Sequence, residues 1–275
     1  MIGPALHASL RRAGRSLPSP LLDTLRRTRL AKRVRAALAD RSIPRHVAMR
    51  SALSWDRLRD CPAPLLDAGG AQIGHRLYVI CGIVTPSRIN RAIHVFDMRA
   101  ERWTDRFDIP DDLPDSHLAV ATAGDRFIYI AGGQLGPQCS PAVATSYCFD
   151  VSDLSWHPLP PLPRPRYAGA MQLWRGRLHF VGGAAEDRWT ATDDHWVLPV
   201  SGAAPQAAEW QVATPAPTPA MHRAMAVIGD ALFLVGGQQG DFMPIPGDPK
   251  FTCTGETRET YVKDVFRLAD PLGAW

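Results

Sequence analysis

The sequence predicts an all-β protein made of four-stranded units stacked around a common axis, and three observations carry that prediction. A short apolar strand ending in a pair of small residues occurs four times, at Leu77–Gly82, Phe127–Gly133, Leu178–Gly183 and Leu232–Gly237. The second residues of these pairs stand 51, 50 and 54 positions apart. A tryptophan precedes each pair at a near-constant distance: Trp55, Trp103, Trp156 and Trp210 lie 27, 30, 27 and 27 residues ahead, and Trp275 is a fifth copy.

Each strand of the unit has its own signal. An apolar segment and a tight turn come before each small-residue pair, as in Met171-Gln172-Leu173-Trp174-Arg175-Gly176, which is a hairpin pattern. An arginine opens the second strand in three copies (Arg76, Arg126, Arg177). A third strand-like run follows, such as Val95-Phe96-Asp97 or Tyr147-Cys148-Phe149-Asp150, and the tryptophan marks a fourth before a proline-rich link. Four strands of this size cannot bury both faces alone, so several units must pack side by side. The glycines suit a sharp bend beside a neighbouring unit, and each indole offers roughly 1.5–3 kcal/mol of burial between units. Composition agrees: 45% hydrophobic and 21% charged residues describe a globular chain, and 22 Gly with 25 Pro disfavour a helical bundle. No apolar run reaches the roughly 18 residues of a spanning helix.

Double glycine after an apolar strand, then an aromatic-Asp strand, then Trp, at a spacing near 50, resembles the kelch repeat of β-propellers in the galactose oxidase/kelch superfamily. Trp103-Thr104-Asp105-Arg106-Phe107-Asp108, Arg166-Tyr167-Ala168, Gln172 to His179 and Gly236 to Met243 are similar to plant-type kelch repeat-containing proteins. The resemblance covers residues 54–275 and implies a kelch-type β-propeller with four recognisable blades of a set of about six. Strands are lettered A to D from the axis outward. Trp55 then marks a lone D strand of the kind that closes a ring, whereas the last unit stops at Trp275, where its D strand should begin. Two blade counts follow: an incomplete set whose exposed edges invite self-association, or four blades that close on themselves or pair with a second copy.

Residues 1–53 fall outside the repeat. Residues 1–50 hold twelve Lys/Arg against Asp23 and Asp40, leaving 19 basic and 25 acidic residues of the chain's 31 and 27 in 51–275. The overall charge of +4 therefore belongs to the tail, and no nucleic-acid partner is expected for the repeats. Leu21, Leu22, Leu25, Leu30, Val34 and Leu38 recur at helical spacing among arginines, which predicts a basic amphipathic helix. Such a segment reads as a chloroplast or mitochondrial transit peptide, or as a solvated tail of a cytoplasmic protein.

Catalytic signatures are sparse. The five cysteines, Cys61, Cys81, Cys139, Cys148 and Cys253, form no C-x-x-C pair, so no structural metal is expected. Cys81 and Cys148 read as core residues, while Cys139 and Cys253 fall in loops where a disulfide needs an oxidising compartment. Copper oxidation of the galactose oxidase type needs two tyrosines, two histidines and a Cys–Tyr crosslink, and no His-x-His spacing occurs. Gly-x-Ser-x-Gly and His-Glu-x-x-His are absent too, and no cofactor is expected. Glu186-Asp187 and Asp193-Asp194 read as solvated loop carboxylates rather than a cation site.

One constellation remains. Strand alternation brings D-to-A links and B-to-C loops to one face of a propeller. His117, Arg166 and His222-Arg223, with Asp67 in the first unit, open the A strands, and Gln134, Gln138, Gln238 and Asp241 lie in the neighbouring loops. Arginine grips carboxylates bidentately, so this rim suits a protein or an acidic ligand. The leading reading is a non-catalytic binding module. Two alternatives are an epimerase or mutarotase acting on an acidic sugar, with His117 or His222 moving protons, and a truncated product without independent function.

Overall fold

The computed structural model describes residues 55–85, 87–136, 141–187, 189–240, 260–271 and 273–275. The expected helix of residues 1–53, together with Gln138, Cys139, Asp241 and Cys253, lies outside the described residues. All described strands belong to the unit Leu58–Trp275.

Four antiparallel sheets follow one another along the chain. Blade I pairs β1 (Gly69–Ile73), β2 (Arg76–Ile80), β5 (Ala92–Asp97) and β6 (Arg102–Asp108), with a small hairpin of β3 (Ile83–Thr85) and β4 (Arg88–Ile89) in its B-to-C loop. Blade II pairs β7 (Ala119–Ala123), β8 (Phe127–Gln134), β9 (Ala142–Asp150) and β10 (Ser155–Leu159). In blade III, β11 (Ala170–Trp174), β12 (Arg177–Val181) and β13 (His195–Ser201) are followed by β14 (Ala204–Pro205) and β15 (Gln211–Val212), both paired to β13. Blade IV holds β16 (Ala224–Ile228), β17 (Ala231–Val235) and β20 (Val265–Leu268), with β18 (Gln238–Gln239) and β19 (Thr260–Tyr261) as a separate pair. The innermost strands β1, β7, β11 and β16 neighbour one another in that order.

The local signals explain these elements. Arg175 and Gly176 both take positive φ (47° and 73°), the conformation of a two-residue hairpin turn whose twist matches its strands. Arg126, which opens β8, reaches across to the Asp150 carboxylate that ends β9, with Nε 2.8 Å from both oxygens. That pairing and the Ser152 hydrogen bonds hold the Asp150 carboxyl well below the usual carboxylate range. The small-residue pairs clamp blade to blade. Gly132 lies at φ +60°, and a Cβ there would meet the Arg166 carbonyl oxygen, in the link to blade III, at 2.5 Å. Cys81 fills the same position in blade I at φ +58° and does carry a Cβ.

Side chains interdigitate at each junction. Tyr78, Ile80 and Ile93 of blade I pack on Ile128, Ile130 and Phe149 of blade II. Tyr129 and Cys148 of blade II pack on Leu178, Phe180 and Trp196 of blade III. Tyr129 also donates its hydroxyl to the Gly202 carbonyl at 2.8 Å. Burial pushes the Cys81 and Cys148 thiols up to about 12, so both are inert core groups.

The blade III–IV junction holds a buried histidine pair. His195 Nδ1 lies 2.9 Å from the Thr214 carbonyl, which can only accept, so Nδ1 carries the proton and Nε2 is an acceptor. His179 Nδ1, 2.9 Å from that Nε2, must then donate. Both rings are neutral, and burial pushes His179 down to about 3.

The tryptophans divide. Trp210 is buried and donates to the Pro160 carbonyl at 2.8 Å; Trp275 donates to the Thr214 carbonyl at 3.1 Å. Each acceptor stands four residues past the preceding tryptophan of the series, so Trp275 keeps the register of a D-strand tryptophan although no strand forms around it. Trp55 corrects the expectation of a closing strand: residues 55–60 form none, and the side chain is 89% exposed. A D strand needs a C-strand edge to pair with, and no described edge is paired to it.

Candidate functional site

The site grows out of the four links that lead into the A strands. Asp67, His117, Ala168 and His222 occupy equivalent positions and all adopt left-handed backbone, with φ of 55°, 55°, 51° and 53°. Their main chains are joined in series: His117 N–H donates to the Asp67 carbonyl (3.1 Å), Ala168 to His117 (3.0 Å) and His222 to Ala168 (2.9 Å). Ala168 shares the conformation without a functional side chain, so the strain serves the turn itself. The residues just before, Leu66, Ser116, Tyr167 and Met221, bridge to Ile83, Gln134, Ala184 and Gln238 just after the glycine pairs. Links and B-to-C loops therefore lie side by side.

These turns bring side chains of three blades together. His117 Nε2 is 3.2 Å from Asp67 Oδ2, and its Nδ1 is 3.2 Å from Ser116 Oγ. The His117 ring meets the rings of His222 and Tyr167 edge-on, with centroids 5.5 and 5.6 Å away. Burial raises the Asp67 pKa and the nearby His222 pulls it back. The cluster can hold a proton between imidazole and carboxylate.

A cavity of about 250 Å³ is lined by the openings of all four A strands, including Gly69, Gly169, Gln172, Met225 and Arg223. Arg223 is only 7% exposed. Its Nη2 donates to the Thr218 carbonyl at 2.9 Å, and its guanidinium stands 5.6 Å from the Phe266 ring centroid. Nε and Nη1 have no hydrogen-bond partner among the described residues. Burial lowers the pKa of this guanidinium and Asp264 opposes the shift, so the charge is desolvated and only partly balanced.

The other expected residues fall elsewhere. Arg166 is a correction: it does not face the mouth but is buried against Asp194, with Nε and Nη2 at 2.8 and 2.7 Å from Oδ2, and lies over the Trp196 ring. Asp194 is thereby an ion-pair partner and not a solvated loop carboxylate, while Asp187 accepts the Trp189 and Thr190 amides. Gln134 is buried with its side-chain amide unpartnered among the described residues, and its main chain is tied to Ser116. Gln238 donates to the Gly240 carbonyl at 3.2 Å beside the mouth. The structure thus gathers His117, His222 and Asp67 at the mouth and places Arg223 at the edge of the cavity with its guanidinium buried. Two residues carried no sequence signal. Gln172, in the cavity wall, donates to the Met225 carbonyl across the blade III–IV junction, and Arg91 ties the Asp115 carboxylate and the Pro110 and Asp111 carbonyls at the blade I–II junction.

Comparison with known proteins fits this architecture. A family model described as the KLHDC2/KLHL20/DRC7 kelch-repeats domain matches residues 67–248. The chain belongs to the kelch-repeat family. A kelch repeat-containing protein of Arabidopsis thaliana is 38% identical to this kelch protein over 221 residues, which is 80% of this chain and 51% of the relative. Beta-scruin of Limulus polyphemus is 26% identical over 135 residues, covering 48% of this chain and 14% of scruin. The kelch protein thus spans about half the length of the Arabidopsis relative and a smaller part of scruin. Among solved structures, YjhT superposes with a TM-score of 0.63 at 15% identity, over 80% of this chain and 72% of YjhT, a likeness of fold. Kelch-repeat proteins are generally protein-interaction modules. Among the described residues no helix is long and apolar enough to cross a membrane.

Proposed function

We propose that this kelch protein is a non-catalytic binding module that offers the mouth between its D-to-A links and B-to-C loops to an acidic protein segment. The single observation behind this reading is Arg223, a residue that borders the central cavity and whose buried guanidinium has two donors without a partner among the described residues. A buried charge without a partner costs several kcal/mol, and an incoming carboxylate repays it with charge-assisted hydrogen bonds. The rings of His117 and His222 lie edge-on to each other at the adjoining links.

The test separates binding from packing. The full chain is titrated with a fluorescent glutamate-rich peptide, as wild type, as Arg223→Met, and as Arg175→Met, which removes an exposed partner of Asp230. Arg223→Met is expected to raise the melting temperature of the free protein, because it replaces a buried and only partly balanced charge by an apolar chain, and to abolish binding; Arg175→Met binds as wild type. Absence of wild-type binding, or unchanged binding by Arg223→Met, overturns the reading. A second reading, proton transfer on an acidic sugar, is favoured by the contact between His117 and Asp67. It requires mutarotation or epimerisation that His117→Gln removes, and silence across a panel of acidic sugars rejects it.

A further inference from the structure

Every junction between successive blades is built in the same way. The amide of the second residue of each small pair donates to a carbonyl two residues before the next left-handed link residue: Gly82 to Asp115 (2.7 Å), Gly133 to Arg166 (2.8 Å) and Gly183 to Ala220 (3.0 Å). The third residue of each B strand, Tyr78, Tyr129 or His179, is buried, and the two tyrosines pack on the following blade.

Blade IV presents the first half of a junction with nothing on it among the described residues. Its equivalent B-strand residue, Phe233, opens on a groove of about 550 Å³ with Ile228, Ala231 and Arg267. Ile228 and Val265 are each 62% exposed and Val235 is 41% exposed. The Gly237 amide donates to no described residue.

Blade I presents the second half. B-strand positions that are buried against the preceding blade in blades II to IV, such as Ile128 and Ile130 or Leu232 and Leu234, are Leu77 and Val79 here, and both are half-exposed. The Leu65 carbonyl stands two residues before Asp67, where Asp115, Arg166 and Ala220 accept in the internal junctions. No backbone hydrogen bond joins the two half-junctions among the described residues.

A missing strand points the same way. The outer edge of β20 is unpaired among the described residues, whereas blades I to III each continue into a fourth strand. Residues 55–60 have the sequence spacing of such a strand: Trp55 precedes Asp67 by 12 residues, as Trp156 precedes Ala168 and Trp210 precedes His222. The rule followed by Trp210 and Trp275, donation to the carbonyl four residues past the preceding tryptophan, assigns Arg59 to Trp103. Trp103 Nε1 is buried and has no partner among the described residues, so its acceptor is out of place.

We infer that blade IV of one copy of this chain receives blade I of a second copy, head to tail, with residues 55–60 of the second copy laid along β20 as its fourth strand. The contact repeats a junction already present three times in the chain. It carries the Gly237 amide to the Leu65 carbonyl of the second copy and covers the apolar groove and the free strand edge together. The two surfaces differ, so the contact is heterologous and can propagate until a rotation closes it.

The test uses the full chain in analytical ultracentrifugation over a concentration series, with two variants at exposed positions. Ile228→Glu/Val265→Glu blocks the blade IV face and Trp55→Asp blocks the strand. Wild type is expected to gain mass with concentration, and each variant alone to stay monomeric with an unchanged circular dichroism spectrum. A mixture of the two variants gives twofold mass and no more, since only one productive pairing survives. A wild type monomeric throughout, or folded variants that fail to pair on mixing, overturns the inference. A monomeric Trp55→Asp that melts below a monomeric wild type also overturns it, because the strand then closes its own chain.

Discussion

Replacing Gly132 and Gly236 by alanine, one at a time, measures how strongly the small-residue pairs clamp successive blades. The two glycines are equivalent in the repeat and share a left-handed backbone, at φ +60° and +62°. Giving an L side chain to that conformation costs about 1–2 kcal/mol at either position. The surroundings differ. A Cβ at Gly132 would lie 2.5 Å from the Arg166 carbonyl oxygen and 3.0 Å from Leu162 Cδ1, whereas at Gly236 the nearest atom among the described residues is the Val262 oxygen at 3.5 Å. The first clash involves main chain of the next blade and cannot be relieved by a rotamer change, so overpacking adds about 1–3 kcal/mol. Gly236→Ala is therefore expected to lose about 1–2 kcal/mol and Gly132→Ala about 2–5 kcal/mol in urea unfolding, with m unchanged. In thermal melts each kcal/mol appears as about 2–4 °C for a chain of this size. Cys81 shows that the backbone angle alone admits a Cβ, so the contact with the following link must make the difference. Losses equal within about 0.5 kcal/mol, the usual error of such comparisons, refute this account of the glycine pairs.

Three further outcomes follow from named contacts. His179 is held down to about 3 in the folded protein and titrates near 6.5 when unfolded, so the unfolded state binds more protons between those values. Stability should be level above pH 7 and fall by about 1.4 kcal/mol per pH unit below 6.5, and His179→Gln should flatten that slope in denaturant melts. Asp194→Ala leaves the Arg166 guanidinium buried without its carboxylate and should cost about 3–5 kcal/mol, whereas Asp187→Ala, in an exposed loop turn, should cost about 1 kcal/mol or less. Tyr129→Phe removes one hydroxyl bond at the blade II–III junction and should cost about 1 kcal/mol, read from the urea midpoint.

The repeat was legible because its punctuation is local. A glycine needed for a bend, an apolar hairpin and an Asp that meets an arginine across a strand pair all leave a mark within one unit, and Arg126 with Asp150 lies where that pattern puts it. Position on the mouth was only partly legible. His117 and His222 are the easier residues to read because they occupy the turn itself. Arg166 and Arg223 look alike in sequence, yet one stands two residues before a left-handed residue and the other one residue after it. Those sites face different surroundings, one an ion pair with Asp194 and the other the Thr218 carbonyl and the Phe266 ring. Trp55 was read as a strand residue because its spacing is right, but a strand also needs an edge to join, which spacing within one chain cannot supply. Arg91 and Gln172 escaped notice because each serves a single junction and repeats nowhere.

The central claim is that one buried arginine beside the central cavity, and not the general surface charge, receives the acidic partner. Nitrogen-15 NMR of the arginine Nε–H groups tests it most directly. Addition of the glutamate-rich peptide should shift the Arg223 resonance saturably and leave Arg166 in place. A peptide that moves exposed arginines while Arg223 stays still contradicts the claim.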